Sequence, residues 1–294
     1  MHRSEPSHDP EEYRGHFLAG GSQGHVGTRH ILSGLRNGEF CIHYQPIVDL
    51  RSQEAIGLEA MLRWDRPQLG LLDPGLLGLE SCSAFMREAL ERWVIYRASS
   101  EFSAFAKAGC LAPEIKLHVN ASTSLFLESS LPGYMSSILS DRGLGPERLC
   151  LNWTLKEEKQ HSSRYLRFCK GFSSMGLELA VNNLRMDLAD LNMFFKVNFI
   201  PFAMVKIGPE EAAHLETDSR TYESLLTFIR IFSGLGIKLA VKGVYTGRQA
   251  RLLRSLCCHY AQGAYWHEPA PLETLHEQGV LGEAKGGPPV QPMP

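Results

Sequence analysis

Ile56-Gly57-Leu58-Glu59-Ala60-Met61-Leu62-Arg63-Trp64 follows a first apolar run, Cys41-Ile42-His43-Tyr44-Gln45-Pro46-Ile47-Val48, where a globular domain begins. The stretch reads as a strand that carries a carboxylate and a guanidinium among Leu58, Met61 and Leu62. An isolated charge is too costly to bury, so Glu59 and Arg63 each need a partner, an ion or a cavity. The bland alternative is an exposed Glu59–Arg63 salt bridge on a strand edge, which contributes little.

Working outward, short β-prone runs alternate with helical ones. Strands are expected at Cys41–Pro46, Ala55–Arg63, Ile115–Asn120, Leu149–Thr154, Leu177–Asn182, Met204–Ile207, Ile237–Gly243 and Tyr260–Tyr265. Helical periodicity marks Phe85–Phe105, Tyr222–Phe232 and Gly247–Leu256. Eight strand-like runs with helices between them imply an α/β fold, either a closed (β/α)8 barrel or an open doubly wound sheet. Neither Gly-x-Gly-x-x-Gly nor Gly-x-x-x-x-Gly-Lys-Ser/Thr occurs, which disfavours a dinucleotide or P-loop site.

Residues 1–28 are polar and have no apolar period, so they read as a flexible N-terminal tail. Gly286-Gly287-Pro288-Pro289 marks a second tail, 281–294, which leaves a domain at 29–280. The 294 residues carry a net charge of −2 and no Lys/Arg-rich block, which argues against nucleic acid as a partner. No apolar run reaches the roughly 18 residues a membrane span needs, and the N-terminus lacks a signal-peptide core. Seven cysteines without Cys-x-x-Cys spacing suit reduced thiols in a cytoplasmic protein.

Chemistry in a barrel sits where strands end at the C-terminal mouth. Those ends read Glu59 with Arg63, Asn120, Asn152, Asn182-Asn183, Lys206, Lys242 and Gln262. A single Asn at such a place is usually a helix cap. A ring of amides and cations instead describes a polar pocket suited to an anion. Other groups have plainer readings. Cys257, Cys258, His259 and His267 lack paired ligand spacing and suit packing better than zinc. Trp64, Trp93 and Trp153 suit the core or the barrel rim. Arg248, Arg251 and Arg254 recur every three residues, the pattern of a solvated helix face that could also meet an acidic partner.

The chain resembles the EAL domain, whose members hydrolyse the second messenger cyclic di-GMP. Tyr44-Gln45-Pro46-Ile47-Val48-Asp49 looks like the family's YQPIVD, and Glu59-Ala60-Met61-Leu62-Arg63-Trp64 like EALLRW. Val119-Asn120-Ala121-Ser122 is similar to VNLS, and Val205-Lys206-Ile207-Gly208 to LKID. Lys242-Gly243-Val244-Tyr245-Thr246 falls on EGVET, and Gln262-Gly263 with Pro269 on QGYxxxxP. The resemblance implies a modified TIM barrel whose first strand runs antiparallel to the others.

It also implies a two-metal site of Mg²⁺ or Mn²⁺, which needs several carboxylates. Here the sequence departs from the family pattern. Asn152 stands where the family has the first Glu of ELTE, Asn182 and Asn183 where it has an Asp pair, and Lys242 where it has the Glu of EGVET. Glu59, Asn120, Lys206 and Gln262 keep the family's identities. Three carboxylates become neutral and one becomes an ammonium, which moves the pocket about five charge units towards positive. The expectation is therefore an inactive enzyme without bound Mg²⁺ or Mn²⁺ and with no catalytic residues. It would serve as a metal-independent cyclic di-GMP receptor through Gln45, Glu59, Leu62, Arg63, Asn120, Lys206, Lys242 and Gln262, and would act on a protein partner. Arg63 would offer a planar fork, and Lys206 and Lys242 would neutralise the two phosphates. The alternatives are a nucleotide-free adaptor, favoured if Lys242 pairs internally with Glu59, and a residual phosphodiesterase. Leu184-Arg185-Met186-Asp187 and Tyr245 fall in the region the family uses for dimer contacts, so a homodimer is also considered.

Overall fold

The computed structural model describes residues 28–67, 69–73, 83–154, 169–196 and 201–282. The expected tail 1–28 lies outside them apart from its last residue, as does the expected tail 281–294 from residue 283 on. Leu281 is fully buried and its carbonyl accepts from the Ala112 amide, so the folded chain reaches at least that far.

The chain forms two compact units, one from residues up to 41 together with 62–87, the other from 42–61 and 88 onward. The strands are β1 (Phe40–Asp49), β2 (Ala55–Arg66), β3 (Gly70–Leu72), β4 (Lys116–Ala121), β5 (Leu149–Trp153), β6 (Glu178–Leu184), β7 (Phe202–Ile207), β8 (Lys238–Val241) and β9 (Tyr260–Ala261). Their order is β1-β9-β8-β7-β6-β5-β4-β2, with β1 also paired to β2, so eight strands close into a barrel. β1 is antiparallel to β9, whereas β2, β4, β5, β6, β7, β8 and β9 pair in parallel. This is the barrel with an inverted first strand that the motifs implied.

The expected strands at Ile237–Gly243 and Tyr260–Tyr265 are shorter than their β-prone runs, and close backbone contact explains why. A Cβ on Gly263 would lie 2.1 Å from the Val244 carbonyl oxygen, so the chain crosses itself there and leaves the ladder. Gly243 adopts φ 72, a left-handed conformation that ends β8. The helix Ala84–Lys107 runs slightly beyond its apolar period, as does Ser219–Gly234, which is capped by Asp218 on the Arg220 amide.

The smaller unit is built round Trp64. Its ring is fully buried, packs 4.6 Å from Phe40, and donates from Nε1 to Glu39 at 2.8 Å. Arg66 stacks over it at 4.9 Å. A Cβ on Gly34 of the helix Thr28–Arg36 would lie 3.0 Å from the indole nitrogen, a tight contact.

Candidate functional site

Strand pleat repeats every two residues, so residues two apart share a face. Cys150, Ala180, Met204 and Ala240 form a buried apolar cluster in the barrel, with Ile56 and Tyr260 packed on it. Two residues further along stand Asn152, Asn182 and Lys206 on β5, β6 and β7, with Lys242 just past the end of β8. They are joined from β2 and β4 by Glu59 and Asn120.

Glu59 is the hub. Its side chain is 1% exposed, and both oxygens are taken by ammonium groups. Lys206, fully buried, donates to Oε2 at 2.9 Å, and Lys242 donates to Oε1 at 3.1 Å. Asn120 Nδ2 also donates to Oε1, at 3.2 Å. The amide orientations then follow from valence. A carboxylate only accepts, so the Asn120 carbonyl must face away from Glu59, where it accepts from Asn152 Nδ2 at 3.0 Å and Asn182 Nδ2 at 3.1 Å. The freed carbonyls of those two amides accept in turn. Lys242 donates to Asn182 Oδ1 at 3.3 Å. His118 Nδ1 lies 3.2 Å from Asn152 Oδ1, which requires the Nδ1–H tautomer.

The electrostatics agree with this pattern. Burial alone would raise the Glu59 carboxyl, but the charges and hydrogen bonds of Lys206 and Lys242 outweigh it and hold it well below the ordinary carboxylate range. Burial lowers Lys206, partly offset by Glu59. Burial, then the charge of Lys206, lowers His118 well below its usual value and keeps it neutral. Two ammonium groups thus face one carboxylate.

The receptor reading of the sequence turned both lysines towards ligand phosphates, and its alternative paired Lys242 with Glu59. In the structure both lysines pair with Glu59, and Lys206 is fully buried. Lys242 remains 14% exposed. Gln45 Nε2 donates to the His267 carbonyl at 3.1 Å. Gln262, 1% exposed, has neither amide atom hydrogen-bonded among the described residues. Leu62 and Arg63 belong to the smaller unit, where Arg63 pairs with Asp73 at 3.2 Å. Asp73 is ten positions from Arg63 in sequence, whereas Glu59, its partner in the bland sequence alternative, is four.

Asn183 also departs from expectation. It is exposed, has φ 52, and lies where the β6–β7 register slips between Val181 and Leu184. Strand alternation already sends its side chain to the face opposite Asn182, and Asn tolerates the left-handed backbone of the slip better than most residues. The following loop is held by Arg185 on Asp190 and by the Met186 amide on Glu211.

His118 was missed by sequence reasoning. The available signal was its place two residues before Asn120 on one strand. Gly57 makes room for it: a Cβ there would lie 2.8 Å from the imidazole. Trp153 is buried and stacked on Phe126 at 4.5 Å, as core packing requires. His259 Nδ1 accepts from the Leu239 amide, and Cys258 is buried. Among the described residues, no group of three or more His, Cys, Asp or Glu converges as a cation site. No helix there is long and apolar enough to cross a membrane.

Residues 28–269 match the family model described as the EAL domain. An uncharacterized protein of Mycobacterium tuberculosis is 25% identical over 246 residues, covering 84% of this chain. The chain spans only 39% of that relative's length. Among solved structures, the PaMucR phosphodiesterase in its c-di-GMP complex superposes with TM-score 0.76 at 25% identity, covering 84% of this chain and 98% of that one. The EAL enzyme Bd1971, bound to cAMP and cyclic-di-GMP, superposes with TM-score 0.77 at 21% identity, covering 85% and 67%.

Proposed function

The chain belongs to the EAL domain family, and from that premise we propose that it is a catalytically inactive signalling protein. Its barrel centre is closed by its own lysine, and it acts by binding a partner protein. One observation carries this reading: Lys242 and Lys206 occupy both oxygens of Glu59. Divalent metals need anionic oxygen ligands, and a pair of them needs several carboxylates. The donor set here is one engaged carboxylate, three amides and two ammonium groups, which does not fit Mg²⁺ or Mn²⁺. Lys242 supplies from within the positive charge such a site would otherwise bind.

A second reading, a metal-independent cyclic di-GMP receptor, draws on the two similar structures above, both of which hold this nucleotide. It also draws on Gln262, whose buried amide has no partner among the described residues. A buried amide in that condition calls for a water or a ligand. The closed centre outweighs it, because admitting a phosphate to Lys206 requires breaking a buried ion pair.

Calorimetry of cyclic di-GMP with the wild-type protein in EDTA decides between the two. The closed-centre reading expects no binding heat, and no linear pGpG above a protein-free control when Mg²⁺ or Mn²⁺ is added. Binding in EDTA that Lys242→Glu weakens by about 1.5–3 kcal/mol, the worth of a hydrogen bond to a charged group, would establish the receptor instead. Linear product that disappears in Glu59→Ala would overturn the inactive reading altogether.

A further inference from the structure

We infer that the face formed by the helix Gly247–Ser255 and its two flanking tyrosines is the docking surface for an acidic segment of a protein partner. This rests on the proposed function, which needs a partner-binding surface, and it names that surface and the chemistry it takes.

Arg248, Arg251 and Arg254 are all exposed and lie at three-residue spacing on one helix. At 1.5 Å rise per residue the row is about 9 Å long. Arg248 has one carboxylate near it, Glu216 at 3.9 Å, and that group also bonds Thr246. Among the described residues, Arg251 and Arg254 have no ion-pair partner. In a chain of net charge −2 this is a local excess of cation.

Aromatic surface adjoins it. Tyr245 is 65% exposed and Tyr265 is 46% exposed. A Cβ on Gly247 would meet Tyr265 Cε2 at 3.2 Å and Arg251 Nη1 at 3.4 Å, so the phenol and the guanidinium both lie over the bare glycine. The face is firm rather than frayed. Thr246 and Gln249 form a reciprocal capping box at the helix start, which also satisfies the amides there.

Tyr and Arg are the residues that concentrate binding energy in protein interfaces. A guanidinium fork recognises a carboxylate through two parallel bonds, and a tyrosine ring covers the aliphatic part of the same segment. Nucleic acid fits less well, because Glu216 stands beside Arg248 and the whole chain is acidic. An anionic membrane fits less well too, since three cations contribute about 1 kcal/mol each and the patch has no aliphatic wedge.

The test titrates fluorescein-labelled amphipathic peptides of about 16 residues against the full chain. One peptide carries Glu on its polar face, and its control carries Gln at the same positions. Wild type should bind the Glu peptide and not the control. Affinity should drop about tenfold when Arg248, Arg251 and Arg254 are replaced by Glu, the factor that 1.4 kcal/mol gives. Tyr265→Ala should weaken binding several-fold while leaving the salt dependence unchanged, and Arg251→Lys should fall between wild type and the charge-reversed variant. Unchanged melting temperatures establish that these surface variants are folded.

The inference is overturned if wild type does not bind the Glu peptide. It is equally overturned if Tyr245→Ala and Tyr265→Ala both bind like wild type, which would mean bulk attraction, or if phosphatidylserine vesicles bind the arginine face and the peptide does not. Failure of the closed-centre reading is seen separately, in nucleotide calorimetry, and leaves the peptide result standing.

Discussion

Four barrel strands carry two adjacent layers of opposite character. Cys150, Ala180, Met204 and Ala240 make one, and Asn152, Asn182, Lys206 and Lys242, two residues on, make the other. Burial in both is nearly complete, yet the layers are held by different physics. The apolar layer gains from contact and water exclusion, so each atom contributes a little and losses are local. The polar layer forms a connected network in which every amide orientation depends on the charge of Glu59. Removing one member strands several others.

The largest expected effect tests that contrast directly. Glu59→Ala leaves two ammonium groups without their carboxylate, one of them fully buried, and should cost about 3–5 kcal/mol in urea unfolding. Adding Lys206→Met should recover part of the loss by removing the stranded charge. A Glu59→Ala cost no larger than that of an apolar deletion would mean the polar layer is effectively solvated.

The next effect is read through pH. His118 is held neutral in the fold, with its pKa lowered well below the usual value, first by burial and then by Lys206. The unfolded chain therefore takes up that proton first, near pH 6.5, and binds more protons than the fold below it. Stability should decline as pH falls under about 6.5, at up to about 1.4 kcal/mol per unit. Glu59 adds to this only at lower pH. Its folded carboxyl is depressed, so its contribution is complete above about pH 4.3 and is lost as pH falls through the folded value. Denaturant melts at pH 7 and 5.5 should separate by about 1 kcal/mol in wild type and converge in His118→Gln.

The smallest effect belongs to the apolar layer. Burial pushes the Cys150 thiol up to about 12, so it behaves as an inert packing group. Cys150→Ala should cost about 1 kcal/mol, with no change in the pH profile. A change in that profile would show that the two layers are coupled.

Much of the barrel was legible because its signals are local. β-prone runs alternate with helical periods, and strand ends such as Asn120, Lys206 and Lys242 announce themselves by polarity within apolar segments. The limits of β8 and β9 were not legible, because they depend on the Val244 backbone closing over Gly263. Asn182 and Asn183 are neighbours in sequence, and which of the two faces the barrel interior was settled only by the pleat of the folded strand, which buries Asn182 and exposes Asn183. Arg63 is the opposite charge four positions from Glu59, and the pairing it makes with Asp73, ten positions on, could not be read from that spacing.

The sequence by itself determined the α/β class and the polar residues at the strand ends, and its family motifs implied the barrel. It also determined that Glu59 needed a partner, an ion or a cavity, since a lone buried carboxylate is too costly. What answers that need was decided only by tertiary structure. Lys206 and Lys242 lie 147 and 183 positions from Glu59, and barrel closure brings both ammonium groups to within about 3 Å of it. Side-chain chemistry states what a buried group requires, but pairing over such separations depends on which strands become neighbours, and that is a property of the closed sheet.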